Sequence, residues 1–153
     1  MMTTSYEKEL RENGRVVFTV KGVSMRPLFH ADTDMILVKR CSVEKLKNMD
    51  IVLFRRVSVK GEQYVLHRIV GRLRDGSFII AGDNCTGADY VRPQDVLGIV
   101  ASVQRKNRPI RLQGFRYRLY VNLWCKPYKL RFFILRCVRK FRSMIKKLKP
   151  KAR

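Results

Sequence analysis

The sequence predicts a mainly β protein, a compact β domain followed by a C-terminal basic amphipathic helical tail. Short apolar runs recur about every ten residues between turn formers, the rhythm of an all-β domain. Charge is divided along the chain: residues 1–95 carry 16 basic and 12 acidic side chains, residues 96–153 carry 18 basic and none acidic. Beyond Pro127 the apolar residues take up helical spacing. A chain of 153 residues holds one domain and an appendage. The expected organisation is a polar N-terminal segment over residues 1–14, the β domain over 15–106, and a basic, aromatic-rich tail over 107–153.

Each element follows from local chemistry. Residues 5–13, opening Ser5-Tyr6-Glu7-Lys8-Glu9-Leu10, suit a short polar helix that Gly14 ends. Arg15–Lys21 alternates as a strand does, and Gly22 breaks it. Ala31-Asp32-Thr33-Asp34 is a loop before a second strand at Met35–Val38, and Val43–Asn48 is turn-like or briefly helical. Ile51–Phe54 is a short buried strand and Gln63–Arg72 a longer one. Asp75-Gly76 turns the chain into Phe78–Ala81, a hairpin. Gly82–Tyr90 reads as a polar loop, and Val96–Val103 as the last strand.

Composition removes several function classes. Cys41, Cys85, Cys125 and Cys137 have no C-x-x-C spacing and no histidines at zinc-finger distances, so they read as free thiols rather than a disulfide frame or a metal site. The first 14 residues contain Glu7, Glu9 and Glu12 and no apolar core of a signal peptide. No uninterrupted apolar window of about 18 residues suggests a membrane-crossing helix.

The tail points to an anionic partner. Leu130, Phe133, Ile134, Cys137, Val138, Phe141, Ile145 and Leu148 fall on one helical face, and Lys129, Arg131, Arg136, Arg139, Lys140, Arg142, Lys146 and Lys147 fall largely off it. Such a helix lies in a membrane interface with cations among the headgroups. Phe115, Tyr117, Tyr120, Trp124 and Tyr128 suit the same region. The alternatives are an apolar stripe packed on the β domain or a protein, and nucleic acid, which ranks last.

The chemistry centres on Gly22-Val23-Ser24-Met25-Arg26-Pro27. A serine on a rigid turn after a strand has an exposed hydroxyl and backbone N–H groups close to a developing oxyanion. Ordinary turns hold such serines too, so Ser24 needs a base. His30 sits in a loop beside Asp32 and reads as a surface residue. His67 shares a strand face with Val65 and Ile69, where a neutral, partly desolvated imidazole serves as base or as a hydrogen-bonded core residue. A base of this kind needs a carboxylate on its other nitrogen. Asp83 and Asp89, in a loop of turn formers, both offer one.

Taken in order, Gly-x-Ser-Met-x-Pro at 22–27, Asp-Ile-Val-Leu-Phe at 50–54, His-Arg-Ile-Val at 67–70, Gly-Asp-Asn at 82–84 with a second aspartate six residues after the first, and Val-Leu-Gly-Ile-Val at 96–100 resemble the type I signal peptidase family of serine peptidases. The branch with a histidine base is the most similar, and the likeness covers about residues 15–106. The resemblance implies a largely β fold with an apolar groove. It also implies cleavage after small residues of signal or leader peptides at a membrane surface, without metal or cofactor. It matches Ser24 to the nucleophile, His67 to the base, Asp89 to the acid of the triad and Asp83 to the other active-site aspartate, and leaves open which of the two touches the imidazole. Gly22 has no hydroxyl to offer an oxyanion, which leaves backbone N–H groups. The family's N-terminal anchor has no counterpart before Ser24, so the basic tail is expected to take its place, peripherally and on the cytoplasmic side, with a leader peptide as substrate. Three rivals stand beside this reading, one of them a purely structural β domain in which the ordered motifs are coincidence. A self-cleaving repressor needs a lysine where His67 stands. A non-enzymatic module would use the tail to hold anionic membrane or RNA.

Overall fold

In the computed structural model, residues 3–59 and 61–148 are described. The side chains of Ser5 and Leu148, and the basic residues after position 148, lie outside that description. Eight strands form one antiparallel sheet: β1 (Arg15–Thr19), β2 (Asp34–Lys39), β3 (Ile51–Ser58), β4 (Gly61–Arg72), β5 (Phe78–Ala81), β6 (Asp89–Val91), β7 (Val96–Arg105) and β8 (Arg108–Ile110). Their order is β1-β2-β7-β3-β4-β5-β6, with β8 added to the far end of β7. Three helices flank the sheet, α1 (Thr3–Asn13), α2 (Phe115–Tyr120) and α3 (Tyr128–Leu148), and a π-helical turn over Val121–Cys125 joins the last two. The mainly β architecture and the C-terminal helix are as the sequence indicates.

Two elements escape the sequence pattern because they are short. β6 occupies three residues at the end of the predicted polar loop and pairs with β5. β8 returns from β7 through Lys106 and Asn107, both in the left-handed region, and carries the sheet past residue 106 to Ile110. The predicted N-terminal helix is present and Gly14 follows it at φ +67°, a conformation that a glycine adopts without Cβ strain. It is more than a polar segment. Leu10 is buried in the core, and the Tyr6 ring packs against Phe18 at 5.2 Å and Tyr64 at 5.6 Å.

Alternation along β3 explains why the sheet is covered on both faces. Ile51 and Leu53 join Leu10, Val16, Met25, Phe29, Ile36 and Val103 on one side. Val52 and Phe54 join Leu46, Ile69, Phe78, Ile80 and Val91 on the other. The loop between β1 and β2, which contains Ser24, is anchored by Met25 and Phe29 in the first cluster and by a buried carboxylate. Asp34 accepts two hydrogen bonds of 2.7 Å from Arg105 and one of 2.8 Å from the His30 N–H. Arg105 also donates to the Leu28 carbonyl at 3.0 Å, so one guanidinium ties the interior of the loop to the start of β2.

Burial opposes ionisation of Asp34, but Arg105 and the His30 N–H outweigh it and hold the carboxyl below its ordinary range. A depressed folded-state value supplies stability that is present above the unfolded value and lost as pH falls through the folded one. Asp34→Ala is therefore expected to cost about 3 kcal/mol near neutral pH in urea unfolding, and the gap from wild type should narrow in acid. An unchanged gap at low pH would separate the loss from the ion pair.

Candidate active site

β4 carries two adjacent residues that face opposite ways. His67 pairs across the sheet with Val52 and stands 6.1 Å from the Phe54 ring, on the apolar face that alternation predicts. Arg68, the next residue, is fully buried on the other side. The segment after β5 returns past both.

His67 lies at the wall of a groove of about 410 Å³, lined also by Ser24, Met25, Leu53, Tyr64, Cys85 and, from α1, Tyr6. Its side chain is 6 % exposed. Nδ1 is 3.6 Å from Asp89 Oδ2, an ion-pair distance rather than a hydrogen bond, and has no closer partner among the described residues. On the other side of Asp89, Arg56 Nη1 reaches both carboxylate oxygens at 3.4 Å. The ring's Nε2 is 3.9 Å from the Cys85 sulfur. Burial disfavours the imidazolium, but Asp89 and Cys85 together raise His67 above its ordinary value. The imidazole in turn, helped by Arg56, holds the Asp89 carboxyl below its usual range.

Ser24 is brought to the same groove by its turn. Gly22 provides the left-handed residue, φ +79°, that bends the chain after β1. The Asn84 N–H donates to the Ser24 carbonyl at 2.7 Å and the Asn84 amide to the Val23 carbonyl at 3.1 Å, tying the turn to the 82–89 loop. Among the described residues the Ser24 hydroxyl makes no hydrogen bond, to His67 or to any other group. Gly82 is where the parts converge. A Cβ there would stand 2.6 Å from the Ser24 carbonyl oxygen, 2.7 Å from the Cys85 sulfur and 2.8 Å from His67 Nε2.

The two aspartates are separated by the fold. Asp89 is the one beside the imidazole. Asp83, fully buried, accepts two parallel hydrogen bonds from Arg68, at 2.9 Å from Nε and 2.8 Å from Nη2. It also accepts 2.8 Å from the Tyr120 hydroxyl, while its carbonyl accepts 3.0 Å from the Trp124 indole. Among the described residues no ion pair joins it to His67. The Arg68 Nη1 completes its set on the Met49 carbonyl and the Tyr117 hydroxyl. Asp83 thus fixes the loop from behind, and Asp89 faces the imidazole.

The tail reaches the site through its polar groups. Tyr117, Tyr120 and Trp124, which composition assigns to a membrane interface, instead bond Arg68 and Asp83. Arg131, 1 % exposed, donates to the Gly82 carbonyl at 3.2 Å, Arg139 to Asn84 at 2.6 Å and Arg136 to Thr86 at 2.8 Å. The apolar stripe of α3 is left open, with Leu130, Phe133 and Phe141 each about 60 % exposed. Phe115, Leu119 and Leu123 extend it, and Pro27 of the Ser24 turn shares a shallow apolar hollow with Leu119, Leu123 and Trp124. Among the described residues no helix is long and apolar enough to cross a membrane, and no cluster of His, Cys, Asp and Glu could hold a metal ion.

Cys85 and Tyr6 are the groove residues that sequence reasoning missed. Cys85 lies two positions after Asp83 in the loop already singled out, and Tyr6 with Leu10 has the i, i+4 spacing of a packed helix face. The chain matches no protein-family model, no curated protein and no solved structure.

Asp83→Ala should leave Arg68 as an uncompensated buried charge and cost about 3–5 kcal/mol in urea unfolding. Gly82→Ala should also destabilise, because two of its three clashes are with atoms that cannot move without shifting the site. Unfolding curves of either variant that overlay wild type would contradict these roles.

Proposed function

We propose that the chain is a serine endopeptidase of signal-peptidase type that cleaves signal or leader peptides at an anionic membrane surface. The observation that carries the reading is the buried imidazole of His67, held between a carboxylate at Nδ1 and the groove of Ser24 at Nε2. Ser24 attacks the scissile carbonyl as His67 takes its proton. Asp89 keeps Nδ1 protonated and stabilises the imidazolium that forms. The amine leaves with the proton from Nε2, and the same nitrogen then activates the water that releases the acyl group. Closing the Ser24–His67 distance is the work of substrate binding, since hydrogen bonds of this kind are often long before substrate arrives. Asp83 acts one step back, holding the loop on which the groove is built.

The open face of α3 supports the surface at which this happens. Its apolar residues suit the acyl boundary, and residues 115–148 carry 11 Lys and Arg and no acid, complementary to the anionic headgroups of a cytoplasmic leaflet. Pro27 puts the Ser24 turn beside that face. A second reading is a module that binds anionic membrane, or RNA, without turnover. The observation that favours it is the Ser24 hydroxyl, which has no bond to His67.

Comparing protein N-termini in the native host with wild type and with Ser24→Ala decides between them. Uncleaved precursors in the variant are expected, and His67→Ala should give the same set. Identical N-termini with the protein present would leave the binding module. With a cleaved peptide in hand, the rate should fall towards acid as His67 protonates, with its midpoint above about pH 6.5. Asp89→Asn should move that limb to lower pH and reduce the rate about 10²–10⁴-fold.

Membrane binding has its own test. Phe133→Glu with Phe141→Glu should weaken sedimentation with phosphatidylserine vesicles more than tenfold, since each buried phenylalanine contributes about 1.5–3 kcal/mol. Binding by wild type should weaken with salt. Equal binding by the double variant would exclude the α3 stripe.

A further inference from the structure

The four cysteines sit in different surroundings. Cys125 is buried and its thiol is pushed up to about 11, chiefly by desolvation and the Asp83 charge. Cys41 is half-buried, and burial raises it too. Cys137 is exposed on α3. Only Cys85 among them lines the groove, with its sulfur 3.9 Å from His67 Nε2 while Nδ1 of the same ring is 3.6 Å from Asp89. Thiol, imidazole and carboxylate stand in the order that makes a cysteine nucleophilic. We propose that Cys85 is an activated thiol, served by the His67–Asp89 pair, at which small electrophiles covalently modify the groove.

Most of the charges around it favour a thiolate. His67 and Asp89 face it from β4 and β6, with Arg56 of β3 behind Asp89. Lys21 lines the same groove, and Arg136 and Arg139 of α3 bond the carbonyls on either side of Cys85. Asp83, the nearest other acid in sequence, is taken up by Arg68. Burial and, less, the Asp89 charge raise the thiol, yet His67, helped by the Gly82 backbone, more than offsets them and brings Cys85 below its ordinary value; Asp89 acts through the imidazole it holds. The proton passes to Nε2 and leaves a thiolate. With iodoacetamide the sulfur attacks the methylene carbon, the carbon–sulfur bond forms, the carbon–iodine bond breaks and iodide departs. The imidazolium gives up its proton to water.

The consequence is competition for one nitrogen. A substituent on the Cys85 sulfur occupies the space beside Nε2 that Gly82 leaves free, so the modified site has no room for a serine hydroxyl there. The inference rests on the thiol and the imidazole and not on peptide cleavage, so its test needs no substrate.

The full-length chain is treated with iodoacetamide at about pH 6 and about pH 8, and labelling is followed by peptide mass spectrometry with Cys137 as internal reference. At the lower pH, Cys85 should react about tenfold faster than Cys137 or more, because the neighbouring imidazole favours its thiolate there. Asp89→Asn and His67→Ala should each remove that advantage, and Ser24→Ala should keep it. Circular dichroism checks that each variant is folded, and the wild-type pH dependence stands without them. Cys85 labelling no faster than Cys137 at about pH 6, or an advantage that survives both substitutions, would overturn the proposal.

Discussion

Arg68 and Asp83 bring two full charges into the interior, where each forfeits several kcal/mol of hydration. They are tolerable there because their polar atoms are matched. The guanidinium gives two parallel bonds to the carboxylate and two more to the Met49 carbonyl and the Tyr117 hydroxyl. Tyr120 and the fringe of Arg131 complete the carboxylate. A bidentate pair has one good geometry and tolerates little rotation. That rigidity passes to Gly82, Asn84 and Cys85, whose loop has few apolar contacts of its own. It passes from there to the Ser24 turn through the two Asn84 bonds.

Strand alternation then divides the labour. Consecutive residues of β4 point to opposite faces, so the buried pair and the imidazole never compete for the same carboxylate. This is why one aspartate of the loop is structural and the other electrostatic. Arg56 reaches both oxygens of Asp89 and shares Oδ2 with Nδ1 of the imidazole. The groove is completed from the far end of the sequence by Tyr6, whose ring is held by Phe18 and Tyr64.

Much of this was legible in the sequence. Period-two alternation gives the long strands, the Asp75-Gly76 turn gives the hairpin, and the His67 face follows from its neighbours. The order of motifs singles out Ser24 and His67 through a resemblance, and it takes the tertiary structure to bring both to one groove. What was not legible has a common cause. Three-residue strands such as β6 and β8 carry too few residues to show a period. The choice between Asp83 and Asp89 depends on which one a buried arginine claims, and nothing local to either aspartate states it. The aromatic run from Phe115 to Tyr128 has the composition of a membrane interface, yet two of its polar tips bond a buried ion pair and a third bonds the Asp83 backbone carbonyl. Composition reports that a side chain has an apolar body and a polar tip; only the tertiary structure supplies the partner of the tip.

The same distinction explains the tail. An amphipathic cationic helix packed by its apolar stripe would leave its charges in solvent and gain little from them. Here α3 sits on the 82–89 loop through arginines that reach backbone carbonyls of Gly82, Asn84 and Thr86, which leaves the apolar stripe unused by the domain. Guanidinium-to-carbonyl bonds are charge-assisted, and each satisfies a loop acceptor that no strand pairs. A helix that only anchored the domain would have no need to touch the loop. One that only braced the loop would have no need of exposed Phe133 and Phe141. The two faces of α3 therefore have separate physical reasons, and the 82–89 loop lies between them and the Ser24 turn.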